Sequence, residues 1–500
     1  MWNELLYAFE AVATLPNFLA MFAGIWAGVI IGAIPGMTGT MAVTLALPFT
    51  FYLPPVTSIL LLVALYKGST YGGSISAILI KTPGTASAAC TVLDGYPLAR
   101  AGKGGKALNM ALVSSCIGDF ISNISLFFLA IPLATFALRV GPPEFFMLMA
   151  FSLTIVASIS GRSLVLGIIS ACLGLLLATV GEDIYGSYRF ALSEDMKSGL
   201  GMVPVLIGLF ALPELIKMVV FRPEDNNDAM KLGDNRLTLS EFRGSIKSIF
   251  RGSVIGVALG AIPGIGPSTA AFFSYSEARR TSKNGDKFGE GELEGIAASE
   301  SANNGSCGAT MIPLLALGVP GDVITGVMLG AFMIHGLTPG PLLFQNNLGD
   351  VYALFIGILF SSVFLFIAGK ATAGAFTKIS RIPQTLLLPC ILILCVYGIY
   401  SIGASPFDVT VLLVMGVVGF AMMLLNIPAA PFLIAFILGP MFEDNMRRSL
   451  AISRGDLGVF FQSWISWGFF ALTVLFVILT IRREWKKWRD KRDANSASAI

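Results

Sequence analysis

A chain of 500 residues has the length of three or four soluble domains, but 55% apolar residues, only 13% charged residues and a mean hydropathy of +0.79 exclude that organisation. A soluble chain carries roughly 25% charged residues, and a chain this apolar cannot cover itself with polar surface, so its solvent is mostly lipid. The 33 Lys and Arg against 30 Asp and Glu (net +3) lack the concentrated basic face that a nucleic-acid partner requires.

The six cysteines, Cys90, Cys116, Cys172, Cys307, Cys390 and Cys395, lie scattered in apolar surroundings without a CxxC pair, and read as small buried hydrophobes. His335 is the only histidine, which removes Ser-His, Cys-His and HExxH chemistry and multi-histidine metal sites together. In MIHGLTPGP it reads as a packed, hydrogen-bonded residue and not as a proton shuttle. The expected class is an all-α polytopic membrane protein, neither an enzyme nor a cofactor carrier.

The opening segment carries Glu4 and Glu10 where a secretory signal would be basic, and the first basic residue is Lys67, so no signal peptide is expected. Stretches long enough to span, about 20 residues each, fall near 18–34, 108–137, 143–160, 163–181, 200–220, 252–274, 348–369, 384–402, 407–426 and 460–481. The apolar regions 40–66, 70–98, 305–341 and 428–442 are broken by Gly and Pro and read as short, re-entrant or interrupted helices. The total is roughly 12 spans. Residues 222–251 (Arg222, Lys231, Arg236, Arg243, Lys247, Arg251 and matching acids) form a polar connector with an amphipathic stretch, and 276–295 a second polar loop. The tail 482–500 opens on RREWKKWRDKR, whose positive charge and flanking Trp485 and Trp488 put it on the cytoplasmic side.

An internal repeat organises the chain. GVIIGAIPGMTGTMA (28–42) matches GVALGAIPGIGPSTA (256–270) at an offset of 228, and Gly68-Ser69 and Pro83-Gly84 recur as Gly305-Ser306 and Pro320-Gly321 at an offset of 237. The halves are therefore 1–221 and 252–481. Two alike halves, each interrupted by Gly and Pro at matching positions, point to a secondary transporter with its site at the repeat interface.

In each GAIPG an apolar helix runs into Pro and Gly, which stop it, and a new helix follows. A helix starting inside a membrane aims unsatisfied N–H groups and partial positive charge at whatever lies in front of it, which suits an anion. Pro35, Gly36, Thr38, Gly39 and Thr40 in one half and Pro263, Gly264, Gly266, Ser268 and Thr269 in the other are the candidate substrate contacts. The segments 66–89 and 299–322 read as hairpins entering the membrane part-way, with Ser69, Thr70 and Ser74 at one tip and Asn303, Asn304 and Ser306 at the other. Such hydroxyls, amides and bare carbonyls suit carboxylate oxygens and Na⁺.

Ionisable groups near apolar segments are functional candidates because they are costly there: Lys67, Lys81, Asp94, Asp119, Glu300 and Asp322. Lys81 is a candidate partner for a substrate carboxylate; Asp119 and Asp322, with Ser74 and Gly305, are candidates for the coupling ion, Na⁺ or a proton. The pair Gly118-Asp119 and Gly321-Asp322 also invites an intramembrane aspartyl protease as the alternative, but that chemistry does not require duplicated GAIPG segments and the GxGD pattern is missing. GKGGKAL (102–108) is not GxxxxGK[ST], so no nucleotide site is expected.

GAIPGMTGTMAVTLALPFTF (32–51), YKGSTYGGSISAIL (66–79), TPGT (82–85), VLDGYPLARAGKGGKAL (92–108) and GAIPGIGPSTAAFFSY (260–275) closely resemble the large membrane subunit of the tripartite tricarboxylate transporters, in order and over most of the chain. The resemblance implies a bacterial inner-membrane permease. Its partners would be a small membrane subunit of about four spans and a periplasmic solute-binding protein, and its substrate citrate or a related carboxylate, moved by a Na⁺ or H⁺ gradient. It also implies an uncharged polar residue such as Asn at position 81 and often Pro at 86, where this chain has Lys81 and Ala86. Lys81 would then alter substrate charge preference or Na⁺ dependence.

Overall fold

The computed structural model describes residues 2–159, 163–183, 185–221, 233, 236–379 and 384–497. The first half contributes α1 (Trp2–Val12), α2 (Leu15–Ala33), α3 (Gly39–Thr50), α4 (Pro55–Ile80), α5 (Val92–Leu98), α6 (Gly104–Ala137), α7 (Pro142–Ile159), α8 (Leu164–Ala178) and α9 (Met202–Val220). The second contributes α10 (Leu239–Gly260), α11 (Gly266–Thr281), α12 (Leu293–Gly305), α13 (Met311–Leu317), α14 (Val323–Ile334) and α15 (Leu343–Asn346). It ends with α16 (Leu348–Ile379), α17 (Gln384–Gly403), α18 (Pro406–Leu424), α19 (Ala429–Ile452) and α20 (Trp464–Ala497). A two-residue ribbon, Gly181–Glu182 against Tyr188–Arg189, is the strand content of the described residues. Six of the described helices are long and apolar enough to cross a membrane, and five shorter ones are apolar. The protein is an all-α polytopic membrane protein.

The repeat persists in packing. On α2, Gly24, Gly28 and Gly32 face Leu61, Leu65 and Ser69 of α4, and a Cβ on Gly24 would come within 2.5 Å of the Leu61 carbonyl oxygen. Shifted by the two sequence offsets, Gly252, Gly256 and Gly260 of α10 face Ala298 and Ala302 of α12 and Ser306 just past its end, with a Cβ on Gly256 falling 2.6 Å from the Ala302 carbonyl oxygen. Small residues every fourth position let two backbones touch, which is the main route to helix association where lipid is as apolar as leucine.

The sequence expectation fails at one place. The anticipated break at 68–73 is absent, since α4 runs unbroken from Pro55 to Ile80. Its glycines serve approach instead: a Cβ on Gly68 would sit 2.5 Å from the Ile25 carbonyl oxygen. The corresponding stretch of the second half is interrupted, between α12 and α13. The stretch 252–274 is two helices divided at its GAIPG, as that motif predicts, with Gly264 and Gly266 at φ of 83° and 68° where the chain turns into α11. The polar connector 222–251 is helical from Leu239 onward, opened by a capping box in which the Thr238 side chain and Glu241 bond each other's backbone N–H. A hydrogen bond from Lys106 holds the Glu241 carboxyl down at about 2, well below its usual range. Arg222 and Lys231 lie outside the described residues.

Two compact units emerge, Met1–Ala137 with Val203–Val417 and Leu138–Met202 with Val418–Ile500, so each draws chain from both halves. In the second unit, α8 lies against α19, where a Cβ on Gly174 would clash with the Phe432 carbonyl. There Arg189 donates to both carboxylate oxygens of Glu443 at 2.8 and 3.0 Å. The groups considered below all belong to the first unit.

Candidate functional site

Both GAIPG segments stop one helix and start another. After α2, Ile34 is extended, Gly36 takes φ 87°, and Thr38 caps α3 by accepting from the Met41 N–H at 3.1 Å. After α10, the Gly264 N–H donates to the Gly321 carbonyl at 2.8 Å, tying the second break to the residue before Asp322. Asp322 is the N-cap of α14: its Oδ1 accepts from the Thr325 N–H at 2.8 Å, and its Oδ2 accepts from the Tyr66 hydroxyl of α4 at 2.8 Å.

The starts of three helices gather here. A Cβ on Gly39 would stand 2.6 Å from Ser69 Oγ and 3.2 Å from Ile324 Cδ1, and one on Gly266 3.3 Å from Asp322 Cβ. The first turns of α3, α11 and α14 thus meet Ser69, Tyr66 and Asp322, joining the two repeats. Pro35, Thr38, Thr40 and Ser268 are half-buried around this junction, Gly39, Pro263 and Gly266 are buried, and Gly36 and Thr269 are exposed.

The expected tip hydroxyls are less available than their residue types suggest. Ser69 and Thr70 both donate to the Tyr66 carbonyl at 2.9 Å, and Ser306 donates to the Ala302 carbonyl at 2.8 Å. The amides differ. Asn303 and Asn304 are fully buried; Asn304 Nδ2 reaches the Lys67 carbonyl at 3.5 Å while its Oδ1 closes no hydrogen bond, and the Asn303 amide stands beside the Glu300 carboxyl.

The four buried acids among the described residues divide by partner. Asp119 on α6 forms an ion pair with Lys67 of α4 at 2.8 Å, both side chains wholly buried. Lys67 completes its donors on the Ile358 carbonyl at 2.8 Å and Ser361 Oγ at 2.7 Å of α16, and Asp119 Oδ2 also accepts from Ser362 Oγ at 2.6 Å. Asp94 on α5 accepts from the backbone N–H groups of Gly289, Gly291 and Glu292 at 2.8 to 2.9 Å and from the Tyr275 hydroxyl at 2.8 Å, which pins the loop 288–292 to the VLDGYPL segment. Asp322 is a cap. Glu300 on α12 meets three hydroxyls, Ser74 at 2.6 Å, Ser115 at 2.9 Å and Thr91, with the Asn303 amide of its own helix beside them.

Asp119 and Asp322 therefore answer to different partners, a lysine and a helix start. A protease dyad would share one proton between two touching carboxyls, and the hydrogen bonds of this pair give the alternative no footing. Gly305, the last residue of α12, packs at 3.3 Å (as a Cβ) from Ser253 of α10. Tyr66 was not singled out from the sequence, where it reads as one more apolar residue of α4. The cap at Asp322 was legible in Asp322-Val323-Ile324-Thr325, a capping-box spacing.

Lys81 is the C-cap of α4. It ends α4 in the left-handed conformation (φ 60°), exposed, with its ammonium 5.6 Å from the centre of the Tyr96 ring. The matching position of the second half, 237 residues on, is Gly318 with φ 72°. A lysine there carries backbone strain that glycine avoids, so Lys81→Gly is expected to raise thermal stability in detergent by roughly 1 kcal/mol. A lower melting temperature would refute the strain.

Two clefts, of about 430 and 400 Å³, open elsewhere, one beside Arg279, Arg280 and Asp286 and one beside Glu4, Asn346 and Asp350. Neither touches the helix starts.

Comparison with known proteins gives three findings. Residues 18–434 match the model described as "Tripartite tricarboxylate transporter TctA family". The chain is similar to an "Uncharacterized 52.8 kDa protein in TAR-I ttuC' 3'region" of Agrobacterium vitis, 34% identical over 96% of each chain. It is also similar to an "Uncharacterized protein in TAR-II ttuC' 3'region" of the same organism, 36% identical over 44% of this chain and 91% of the relative. No solved structure matches.

Proposed function

The chain belongs to the tripartite tricarboxylate transporter TctA family, and from that premise we propose that it is the permease that imports citrate or a related di- or tricarboxylate across the bacterial inner membrane. A periplasmic solute-binding protein delivers the substrate, a small membrane subunit of about four spans completes the complex, and a Na⁺ or H⁺ gradient drives the step. The basic tail after Ile481 faces the cytoplasm.

The observation that carries this reading is the junction of the two GAIPG breaks. Three helix starts, from both repeats, meet within reach of one another; those of α3 and α11 turn their partial positive charge toward an anion, while the start of α14 is already capped by Asp322. Asn304 adds a buried amide oxygen with unused hydrogen-bonding capacity. Carboxylates bind at the helix starts, and alternating access follows from one part of the fold moving against the rest.

The test is uptake of labelled citrate, and of a panel of dicarboxylates, by cells expressing the chain with its two partner subunits. Uptake is measured in Na⁺ buffer, in K⁺ buffer and with the proton gradient collapsed. Transport that fails under one ionic condition supports the reading and names the ion; no uptake of any carboxylate by a correctly inserted complex removes it. Gly36→Val and Gly264→Val should each reduce uptake at least about tenfold, because a branched side chain resists φ near 85° and blocks backbone approach to the substrate. Normal uptake in both would remove the helix starts from the site.

A further inference from the structure

Glu300 is the one acid of the four buried carboxyls described above that has neither a cation nor a backbone N–H, and its cage is built from both halves. Ser74 comes from α4, Thr91 from the segment before α5, Ser115 from α6, and Glu300 itself from α12. The residue at the matching position of the first half is Val63, so the acid is peculiar to one repeat. Glu300 is fully buried. We propose that Glu300 is the proton-carrying group of this transporter, neutral in the closed arrangement seen here and ionised when its cage opens to water; the proposal rests on the transport reading above and names its coupling ion.

Chemistry and spacing argue for a proton. An ionised carboxylate buried without a countercharge is far costlier than the neutral acid. Hydroxyls suit a group that changes charge, because each is both donor and acceptor and can turn around as the proton comes and goes. In the neutral acid, Ser74 and Thr91 donate to Oε1 while Oε2–H donates to Ser115 Oγ; in the anion, Ser115 donates to Oε2 instead. The Ser74 and Ser115 hydroxyls touch the carboxyl directly, at 2.6 and 2.9 Å. A bound Na⁺ would have to part these oxygens to sit among them. Asp119 is the contrast: the Lys67 side chain stands 2.8 Å away as its countercharge.

The surroundings agree with a group that titrates alone. Its titratable neighbours are the Tyr71 phenol of α4 and the Cys90 thiol of the segment before α5. On α6 the next acid is Asp119, already paired, and on α5 Asp94 is held by Tyr275 of α11 and the 288–292 loop. From α10, Ser248 bonds Glu294 at the opposite end of α12, and from α11, Ser274 donates to the Ala298 carbonyl. The proton enters from water on the side facing the binding protein, forms the Oε2–H bond, and leaves to cytoplasmic water when that bond breaks. No other bond changes.

Two measurements test this. The first is infrared titration of the purified chain in detergent, comparing wild type with Glu300→Gln, whose amide reproduces the hydrogen bonds of the neutral acid. A protonated-carboxyl band present at neutral pH in wild type and absent from the variant is expected. Identical spectra, or a band bleached by Na⁺ at constant pH, would overturn the proposal. The second uses vesicles containing the whole complex and labelled citrate. Glu300→Gln should keep citrate–citrate exchange within about twofold of wild type while gradient-driven accumulation falls at least about tenfold. Accumulation at the wild-type level, or loss of both exchange and accumulation in correctly inserted protein, would overturn it. If wild type itself moves no carboxylate, the transport reading fails, and the infrared result still reports on Glu300.

Discussion

Lys67→Met should destabilise the protein by on the order of 3–5 kcal/mol, the usual consequence of removing one partner of a buried ion pair. Asp119 would be left wholly buried beside Ser362 and Asn123, whose neutral dipoles do not replace an ammonium 2.8 Å away. The Ile358 carbonyl and Ser361 would lose a charged donor at the same time. The pair ties α4, α6 and α16 together, so the loss should appear as a lower thermal midpoint in detergent and reduced yield in the membrane. A second variant separates pairing from packing: combining Lys67→Met with Asp119→Leu removes both charges and should recover most of the loss, since two apolar residues of similar volume often replace a buried pair at little cost. A single variant as stable as wild type would mean that the pair contributes nothing. A double variant no better than the single would mean that the lysine matters for its shape.

The fold class was legible because lipid leaves few choices: a chain this apolar must satisfy its backbone within helices. The repeat was legible because GAIPG contains the two residues that helices avoid, at the same place twice. The glycines of 66–73 were misread for an equally physical reason. Gly68 and Gly72 break helices in water, but between touching helices they permit approach, and only the partner's position tells the two uses apart. The same ambiguity hid the roles of the acids. Asp119, Asp322 and Glu300 look alike in sequence, each an acid among small and apolar residues. Their partners are a lysine 52 residues away in sequence, a tyrosine 256 away and three hydroxyls on three other segments. Tertiary distance of that order leaves no trace in local spacing. Lys81 shows the reverse case, in which matching the two repeats reveals a backbone demand that composition alone conceals: its counterpart Gly318 shares its left-handed conformation.

The glycine ladders make the second large effect, and one with a built-in control. In an ordinary helix Gly→Ala stabilises by up to about 1 kcal/mol, because alanine has less freedom to lose. Gly468 of α20 has nothing within 4 Å of a new Cβ, so Gly468→Ala should show that gain or no change. Gly28→Ala should behave oppositely. Its Cβ would fall on the Leu65 carbonyl and 2.9 Å from the Ser69 nitrogen, both backbone atoms of α4 that cannot rotate away. Gly256→Ala meets the Ala302 carbonyl oxygen at 2.6 Å in the matching pair. Parting two packed helices to admit a methyl group costs roughly 1–3 kcal/mol, which outweighs the helix-propensity gain. Both ladder variants are therefore expected to melt earlier than wild type by similar amounts. The junction of helix starts lies just beyond Gly32 and Gly260, the last rungs, so uptake should fall with stability in both variants. If Gly28→Ala and Gly256→Ala gained stability as Gly468→Ala does, the backbones of α2 and α4 and of α10 and α12 would not be in contact. If only one of them lost stability, the two halves would not share the packing that their common sequence requires.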